Sequence, residues 1–427
     1  MRKKILVRGP ALTQSGYGEQ ARFALRSLRT REDVFDIYLH PLNWGKTGWI
    51  FEDTEERRWL DSIIKKAAEY EKLGGQYDMS LQITIPNEWE RIAPINVGYT
   101  AGIETTRISP EWVEKSMLMD RIIVVSNHAK YGFDKTSYQA KNEKTGEVVN
   151  DFKCQTPVEA VNYAVRDLSE KDVDLNLDYD FNFLAVAQWG PRKNMENTVA
   201  WFIQEFMNDE VGLVLKTNHM NNSHIDKNAL RSNMKDLLSN FPDRKCKIYL
   251  LHGDMSSEEI LGLYKNPKIK ALINIAHGEG FGLPMFEAAQ QSVPIIAPSW
   301  GGQVDFLYKL TKEKAKKNKK AKIRNKAHFA SVDYVLKQVP REVVWDGVLV
   351  ADSMWCYAHE GSYKSQLRDV YRNIGQYNKL AKDLKKHLDK EFSEEKQYKK
   401  FADVCLSACG YVKEEEVDGL FDQMAAG

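Results

Sequence analysis

Short apolar runs alternate with helix-length amphipathic stretches along most of this chain of 427 residues. The first runs are KILVRG, VFDIYLH, DMSLQIT, PINVGYT and RIIVVS, each ending in small or polar residues, and helix-like segments separate the earliest of them. Strands separated by helices form parallel sheets with helices on both faces. The alternation therefore predicts an α/β fold.

The alternation occurs twice. After a stretch rich in Asp, Asn and Leu (167–179), which is typical of a linker, a second series runs from FNFLAVAQ through VGLVLKT, KIYLLHG, IKALINIA and VPIIAP to GVLVAD. We therefore predict two doubly wound domains, over residues 1–168 and 175–385, followed by polar helices. Ligands of such sheets bind at the carboxyl ends of the strands, so the loops that follow the strands are where we expect the chemistry.

Composition excludes several classes of protein. Hydrophobic residues make up 43% and charged residues 28%, which is the balance of a globular protein. No window reaches 18 uninterrupted apolar residues, and the start MRKKILVRGP lacks a cleavage-type segment. The five cysteines are scattered, with no C-x-x-C pair, so they predict neither a disulfide framework nor a zinc knuckle. We expect a cytoplasmic protein without a transmembrane segment.

The near-neutral net charge hides a basic segment. Residues 309–326 contain ten Lys or Arg residues and one acid, Glu313. The segment carries a formal charge of +9, so the rest of the chain, whose total is +1, carries −8. Without apolar periodicity, this segment is predicted to be a loop inserted into the second domain.

The most informative motif lies at residues 273–298, INIAHGEGFGLPMFEAAQQSVPIIAP. An apolar strand leads into a glycine-rich turn, and Pro284 occupies a place that suits the first turn of a helix. Backbone amides at such a turn bind anions or hydroxyls, and the glycines allow close approach to the backbone. Glu279 and Glu287 border the same crevice and suit acceptance from sugar hydroxyls. In the alternative interpretation, Glu287 only complements the helix dipole and the glycines only serve packing.

A second glycine-containing turn follows the first strand. Gly16 and Gly18 precede a helix-like segment, which places backbone amides where a phosphate group can approach. A turn that serves only packing has the same spacing.

These motifs resemble the retaining, nucleotide-sugar-dependent glycosyltransferases of the GT-B fold, in particular family GT4. Glu279-GFGLPMF-Glu287 has the family's E-x7-E form. LLHGDMSSEEILGLY (250–264), VVSNHAKYGF (124–133) and VAQWGPRKN (186–194) are similar to further family segments, and SWGGQVDFL (299–307) resembles GG-x-x-E with Asp305 in place of Glu. The resemblance implies two Rossmann-like domains that face each other across a cleft. It also implies that the final helix, at about 386–427, crosses back to the first domain.

The resemblance assigns donor contacts. Glu287 matches the family's ribose contact, and Glu279 matches the carboxylate beside the transferred sugar. The pair Arg192 and Lys193 matches the cations that neutralise the departing diphosphate, whose developing charge they stabilise. Lys216 is the candidate for replacing a family Arg near Gln188, although a solvated loop charge is an equal interpretation. The predicted catalytic residues are Glu279, Lys193 and Arg192, and the predicted donor-binding residues are Glu287, Gly280, Phe281, Gly282, Leu283, Lys216, Gly16 and Gly18.

The acceptor side departs from the family pattern. Many members have a His at the end of a strand of the first domain, whereas this chain has GIETT there. Glu104 therefore becomes the candidate for a sugar or acceptor contact, together with Tyr17 of the turn that follows the first strand. His277, directly before the GEGFG turn, is a supporting candidate, although a lone His is usually structural.

The implied mechanism is a front-face reaction in which a donor phosphate oxygen receives the acceptor proton. Glu279 is then not a nucleophile. Two carboxylates also suggest a glycoside hydrolase, but their position beside a helix N-terminus, where carboxyl groups stay ionised, disfavours a general acid. No Asp-x-Asp follows a strand, so we predict a reaction that requires neither a metal nor another cofactor.

The donor is predicted to be a UDP or GDP hexose, and the acceptor hydroxyl to belong to a glycan, a lipid-linked glycan or a modified DNA base. The basic segment 309–326 fits attraction to an anionic membrane surface, and hence peripheral association, or to nucleic acid. A solvated surface loop without a binding role is the alternative interpretation. Phage-encoded transferases resemble this family, which keeps the nucleic-acid interpretation open. The alternative function is an inactive GT-B relic that binds nucleotide or a polyanion.

Overall fold

Two six-stranded parallel sheets organise the computed structural model, which describes residues 2–141, 146–312 and 323–410. Their strands are nearly continuous apolar runs, as expected for parallel strands with helices on both faces. The prediction of two doubly wound domains is confirmed. The linker predicted at 167–179 lies within residues 161–181, which are all described and contain neither helix nor strand.

The first domain is built on the sheet order β2-β1-β3-β4-β5-β8. Its strands are β1 (Lys3–Gly9), β2 (Phe35–Pro41), β3 (Met79–Ile83), β4 (Ile95–Thr100), β5 (Arg121–Val124), β6 (Tyr138–Lys141), β7 (Val148–Phe152) and β8 (Val158–Ala160). Strands β6 and β7 pair with each other as an antiparallel hairpin. Its helices are α1 (Gly16–Arg29), α2 (Glu55–Lys72), α3 (Pro110–Ser116) and α4 (Asn127–Lys135). Ser15 caps α1 by accepting a hydrogen bond from the Gly18 amide.

The second domain has the sheet order β11-β10-β9-β12-β13-β16. Its strands are β9 (Asn182–Val186), β10 (Gly212–Lys216), β11 (Lys247–Leu251), β12 (Ile269–Ile273), β13 (Ile295–Pro298), β14 (Tyr308–Lys312), β15 (Ile323–Ala327), β16 (Ala330–Val332), β17 (Tyr334–Gln338) and β18 (Met354–Ala358). Its helices are α5 (Met195–Glu205), α6 (His224–Ser239), α7 (Ser257–Lys265), α8 (Leu283–Gln290), α9 (Val304–Leu307), α10 (Glu360–Arg372) and α11 (Ile374–Glu391).

The last described helix, α12 (Glu394–Ala408), crosses back to the first domain. It packs against α1 and the strands β4 and β5. The Phe401 ring lies 5.6 Å from Phe23 and 5.0 Å from Tyr99, measured between ring centroids. The crossing helix is therefore part of the core of the first domain. Residues 411–427 of the predicted C-terminal segment lie outside the described residues.

The segment GVLVAD connects the two domains and does not form the predicted strand. The expectation that GVLVAD forms a strand is wrong, because residues 347–352 belong to a loop between β17 and β18. We call residues 339–353 the interdomain arm. The Gly347 carbonyl of the arm accepts hydrogen bonds from Asn87 and Ser109 of the first domain, and Val348 is buried in that domain's apolar core. The apolar residues of the arm pack against the other domain. Sequence periodicity cannot distinguish such a buried loop from a buried strand.

The two ends of the basic segment are strands. Strands β14 and β15 pair in antiparallel register, which differs from the loop predicted for 309–326. Lys309 Nζ lies 2.9 Å from Asp383 Oδ1 of α11, so the charge of Lys309, one of the ten cations of the basic segment, is neutralised locally. Residues 313–322 lie outside the described residues.

Candidate active site

The order of the strands brings the two halves of the predicted site together. In the second sheet, β9 lies between β10 and β12, so the chain leaves β9 toward one side and reaches β12 on the other. Ligands of doubly wound sheets bind at such a reversal of strand order. The loop after β9 carries Arg192 and Lys193, and the loop after β12 carries Glu279. Their proximity follows from the topology.

Glu279 is the centre of a charged cluster. Its Oε1 accepts hydrogen bonds from Lys193 Nζ at 2.7 Å and from Asn274 Nδ2 at 2.9 Å. Arg192 Nη1 lies 3.7 Å from Glu279 Oε2, and Arg192 Nη2 lies 3.2 Å from Glu104 Oε1. Glu104 belongs to the first domain, so the cluster spans the boundary between the domains. Asn274 was missed by the sequence analysis, although its place within the motif, directly after β12, is a usable signal.

Burial and ion pairing act in opposite directions on the Glu279 carboxyl. Burial is the largest influence and favours the neutral acid, but Lys193 and Arg192 outweigh it and lower the pKa of Glu279 below its usual value. The pKa of Lys193 is also lowered, mainly by burial and then by the neighbouring Arg192. Glu279 is therefore ionised at neutral pH and acts as a hydrogen-bond acceptor.

Two glycines of the GEGFG turn face the first domain. A Cβ atom on Gly278 would lie 2.3 Å from the Glu104 carbonyl oxygen, and one on Gly280 would lie 2.8 Å from that of Ala101. Gly282 has φ +89°, a left-handed conformation at the N-cap of α8 that favours glycine. The close approach expected for a ligand is thus used at Gly278 and Gly280 by the backbone of the first domain.

The two apolar candidates next to these glycines have packing roles. The Phe281 ring is buried and lies 5.1 Å from Tyr163, a contact between the two domains, and 5.0 Å from Phe306. Leu283 is the first residue of α8 and packs partly buried against the same core. Their side chains therefore hold the turn in place, and their backbone amides are the groups that remain candidates for donor contact.

Glu287 lies on the second turn of α8. Its Oε2 accepts a hydrogen bond from the Tyr264 hydroxyl at 3.1 Å. Burial, with a smaller contribution from the negative charge of Glu19, raises the pKa of Glu287 to about 7. The expectation that helix position keeps this carboxyl ionised is therefore wrong for Glu287, because burial outweighs the helix dipole beyond the first turn.

The first-domain candidates converge on the end of β4. The Tyr17 hydroxyl lies 2.9 Å from Thr100 Oγ1 and accepts from the Ala101 amide at 3.3 Å. Gly18 is buried, and a Cβ atom there would lie 2.0 Å from the Thr13 carbonyl oxygen. A Cβ atom on Gly16 would meet no atom within 4 Å. Gly18 thus has a packing role, whereas Gly16 leaves an approach open.

The remaining candidates have local partners. Lys216 donates to the Gly253 carbonyl at 2.6 Å, and burial lowers its pKa. His277 Nδ1 donates to the Cys356 carbonyl at 2.8 Å, and its ring stacks on Trp355 at 5.4 Å. His277 therefore joins the GEGFG turn to β18. The structure does not bring it to the Glu279 carboxylate.

Asp305, the variant position of the GG-x-x-E segment, ties the domains together. Its Oδ2 accepts from the Asn127 amide at 2.8 Å and from Asn162 Nδ2 at 2.8 Å, both in the first domain or the linker. Burial raises the pKa of Asp305. Asp305 therefore links the second domain to the first by hydrogen bonds.

No group of three or more His, Cys, Asp and Glu side chains within 2–141, 146–312 and 323–410 is arranged to hold a metal ion. In the same ranges, no helix is both long and apolar enough to span a bilayer.

Two facing Rossmann-like domains with a final helix that returns to the first domain define the GT-B fold. No protein-family model matches the chain, and no curated protein matches it by sequence. Solved structures with this architecture do match. HepE of Anabaena, in complex with UDP and glucose, has a TM-score of 0.55 at 12% identity, over 95% of this chain and 100% of that chain. Sucrose-phosphate synthase of Thermosynechococcus elongatus has a TM-score of 0.57 at 13% identity, over 96% and 100% of the two chains. At this identity, the likeness establishes the fold.

Proposed function

We propose that this chain is a retaining glycosyltransferase that moves a hexose from a UDP or GDP sugar to a hydroxyl acceptor. The observation that carries the proposal is the cluster of Arg192, Lys193 and Glu279 at the reversal point of the second sheet, completed by Glu104 from the first domain. HepE, which has the same fold, was solved with UDP-glucose bound. Cations, carboxylates and backbone amides at one cleft suit a ligand that has both phosphates and hydroxyls.

Donor binding is assigned to both sides of the cleft. The ribose hydroxyls bind Glu287, and the sugar hydroxyls bind Glu279 with the amides of Gly280, Phe281 and Gly282. The diphosphate binds Arg192 and Lys193, with Lys216, Gly16 and Gly18 nearby. Arg192 and Lys193 form ion pairs with Glu104 and Glu279. When a diphosphate pairs with Arg192 and Lys193, the carboxylates of Glu279 and Glu104 become free to accept hydrogen bonds from sugar hydroxyls. Each ion pair that is lost is then replaced by a contact with the donor.

The reaction proceeds on one face of the sugar. The bond from the anomeric carbon to the diphosphate breaks, the acceptor oxygen bonds to that carbon on the same face, and the acceptor proton passes to a phosphate oxygen. Arg192 and Lys193 stabilise the negative charge that develops on the leaving diphosphate. Glu279 remains an ionised acceptor because its ion pairs lower its pKa. The basic segment 309–326 favours an acceptor that is carried on a polyanionic surface, either a membrane or nucleic acid.

A donor panel tests the proposal. The purified chain is incubated with UDP and GDP sugars, and mass spectrometry detects the released nucleotide, with and without Glu287→Ala. We expect release from at least one donor and a loss of more than about tenfold in the variant. Absence of release and of donor binding in the unchanged protein would replace this proposal with an inactive GT-B relic.

The reaction is also predicted to require no metal. Turnover with the preferred donor is expected to be the same after dialysis against EDTA as before it, because fixed cations neutralise the diphosphate. A loss of turnover that is restored by Mg²⁺ or Mn²⁺ would refute this prediction.

A further inference from the structure

A set of three aromatic residues, two of them exposed and one partly buried, lies on the first domain beside the candidate active site. It belongs to the loop that follows β2, residues 42–53, and contains Trp44, Trp49 and Phe51. Trp49 is 47% exposed and Phe51 is 74% exposed. We call these three residues the aromatic platform. Exposed apolar residues that lie together on a protein surface mark interaction sites.

The backbone fixes this loop at the carboxyl edge of the first sheet. The Gln14 amide donates to the Gly48 carbonyl at 2.7 Å, and the Ile50 amide donates to the Leu12 carbonyl at 2.8 Å. Trp49 also forms an antiparallel bridge with Thr13. The exposed rings are therefore held by an ordered backbone that runs beside the turn between β1 and α1.

A chain of contacts joins the platform to the Glu279 turn. The Trp44 ring stacks on Tyr17 with the centroids 3.9 Å apart and an angle of 25° between the planes. The Tyr17 hydroxyl reaches Thr100 and Ala101 at the end of β4. The Ala101 carbonyl in turn faces Gly280 of the GEGFG turn. A molecule that lies on the platform can thus extend toward the carboxylates of the cleft.

The charges around the platform distinguish between possible ligands. Residues 42–58 contain four acids and three cations, so the loop has no excess of positive charge. Two of those cations are paired: Arg58 with Asp53 at 2.8 Å, and Arg57 with Asp61 at 3.0 Å. A nucleic-acid backbone or an anionic lipid surface needs cations at its contact, and this surface offers no excess of them. An uncharged ring with apolar C–H groups on its face fits the aromatic rings better.

We propose that the aromatic platform binds the acceptor as a neutral saccharide, stacked on Trp49 and Phe51 with its reactive end directed past Tyr17 toward Glu104 and Glu279. This inference rests on the proposed function, because it assigns the acceptor of that reaction. It places the carrier of the acceptor, whether membrane or polymer, away from the platform. The specificity of the platform is for uncharged sugar rings.

Calorimetric titration of the full chain tests the inference. The neutral probes are maltopentaose, cellopentaose and chitopentaose, and the anionic probes are a single-stranded 20-nucleotide oligo(dT) and phosphatidylglycerol vesicles. We expect the Trp49→Ala, Phe51→Ala double variant to bind the preferred oligosaccharide about tenfold or more weakly. We expect Trp49→Tyr, which keeps an aromatic ring, to retain most of the affinity. Leu73→Ala is the matched control, because Leu73 is 86% exposed but caps the opposite end of α2.

Each outcome decides one proposal. Failure of the unchanged protein to bind any of the oligosaccharides, an equal affinity in the double variant, or a loss confined to oligo(dT) or vesicles overturns the saccharide platform. Nucleotide release from a donor is measured separately with the same variants. Platform-dependent saccharide binding without any donor binding would overturn the proposed function and leave the platform standing.

Discussion

Four charged side chains at the domain boundary form a neutral set. Glu279 and Glu104 supply two negative charges, and Arg192 and Lys193 supply two positive ones. The carboxylate of Glu279 is buried, so its charge is tolerated only while cations face it. The same arrangement that makes the residue useful for binding hydroxyls makes it sensitive to the loss of a partner.

Glu279→Gln is expected to abolish turnover and to lower the free energy of unfolding by about 3–5 kcal/mol, because Lys193 is left buried without its partner. The double variant Glu279→Gln, Lys193→Met is expected to be more stable than Glu279→Gln alone. Urea unfolding measures both. Lys385→Ala, which removes only an exposed pair with Asp389, is the control and should change stability by less than about 1 kcal/mol. Equal stability of the single and double variants would contradict the predicted coupling.

The raised pKa of Glu287 predicts a pH dependence of stability. The folded protein binds this proton with a pKa of about 7, above the ordinary value of 4.5. Its stabilising effect is therefore complete below the ordinary pKa and is lost as pH rises toward 7, by at most about 3 kcal/mol. Charged or polar groups that face the carboxyl are Tyr264, Glu19 and Arg166.

Urea unfolding of the unchanged protein and of Glu287→Gln, from about pH 5 to about pH 8, measures this effect. We expect the unchanged protein to lose stability more steeply with rising pH than the variant. Glu395→Gln, a change in an exposed carboxyl on α12, should follow the unchanged protein. Parallel curves for all three proteins would show that Glu287 has an ordinary pKa.

At the scale of elements, turns carry the contact between the domains. The GEGFG turn approaches residues 101–104 so closely that Gly278 and Gly280 have no room for a side chain. Gly302, in the loop after β13, donates to the Glu279 carbonyl at 2.8 Å and faces the Gly280 carbonyl. Three loops from two sheets thus pack backbone against backbone around the candidate site.

Gly278→Ala is predicted to separate these loops. Its Cβ atom would lie 2.3 Å from the Glu104 carbonyl oxygen, and because that oxygen is a backbone atom, one of the two loops must move. We expect a loss of about 1–3 kcal/mol in stability together with lower turnover. Gly16→Ala is the matched control for stability, because its Cβ atom meets nothing within 4 Å, and it should be neutral or slightly stabilising. Thermal unfolding compares the two variants, and similar melting temperatures would refute the prediction.

At the scale of the whole molecule, two crossings connect the domains. Helix α12 returns to the first domain and contributes Phe401 to its core, and the interdomain arm inserts Val348 into the same domain from the other side. These two connections, in addition to the linker, restrict the relative positions of the domains. This restriction keeps Glu104 opposite Arg192.

Phe401→Ala is expected to cost about 3–5 kcal/mol, since the ring packs on Phe23 and Tyr99 of the first domain. Hydrogen exchange should become faster in α1, β4 and β5, while the strands of the second sheet keep their protection. Lys399→Ala, an exposed change on the same helix, should leave exchange unaffected. Faster exchange confined to α12 would show that the first domain folds without it.

Much of the fold is predictable because it depends on local patterns. A run such as VGLVLKT has the length and composition of a buried parallel strand wherever it occurs, and the glycine turn with Pro284 predicts a strand, a turn and a helix from neighbouring residues. GVLVAD satisfies the same local pattern but forms part of the interdomain arm. The local apolar pattern predicts that a segment is buried, but it does not predict which part of the molecule the segment packs against.

The sequence by itself determined the two alternating series and the position of Arg192, Lys193 and Glu279 at strand ends, because hydrophobic period and turn chemistry act between close neighbours in the chain. Tertiary structure alone decided that Glu104 pairs with Arg192 and that burial raises the pKa of Glu287. It also decided that the Glu104 backbone lies so close to Gly278 that no side chain fits there. These properties depend on the order of strands and on how the domains close, which bring together groups that no local pattern relates.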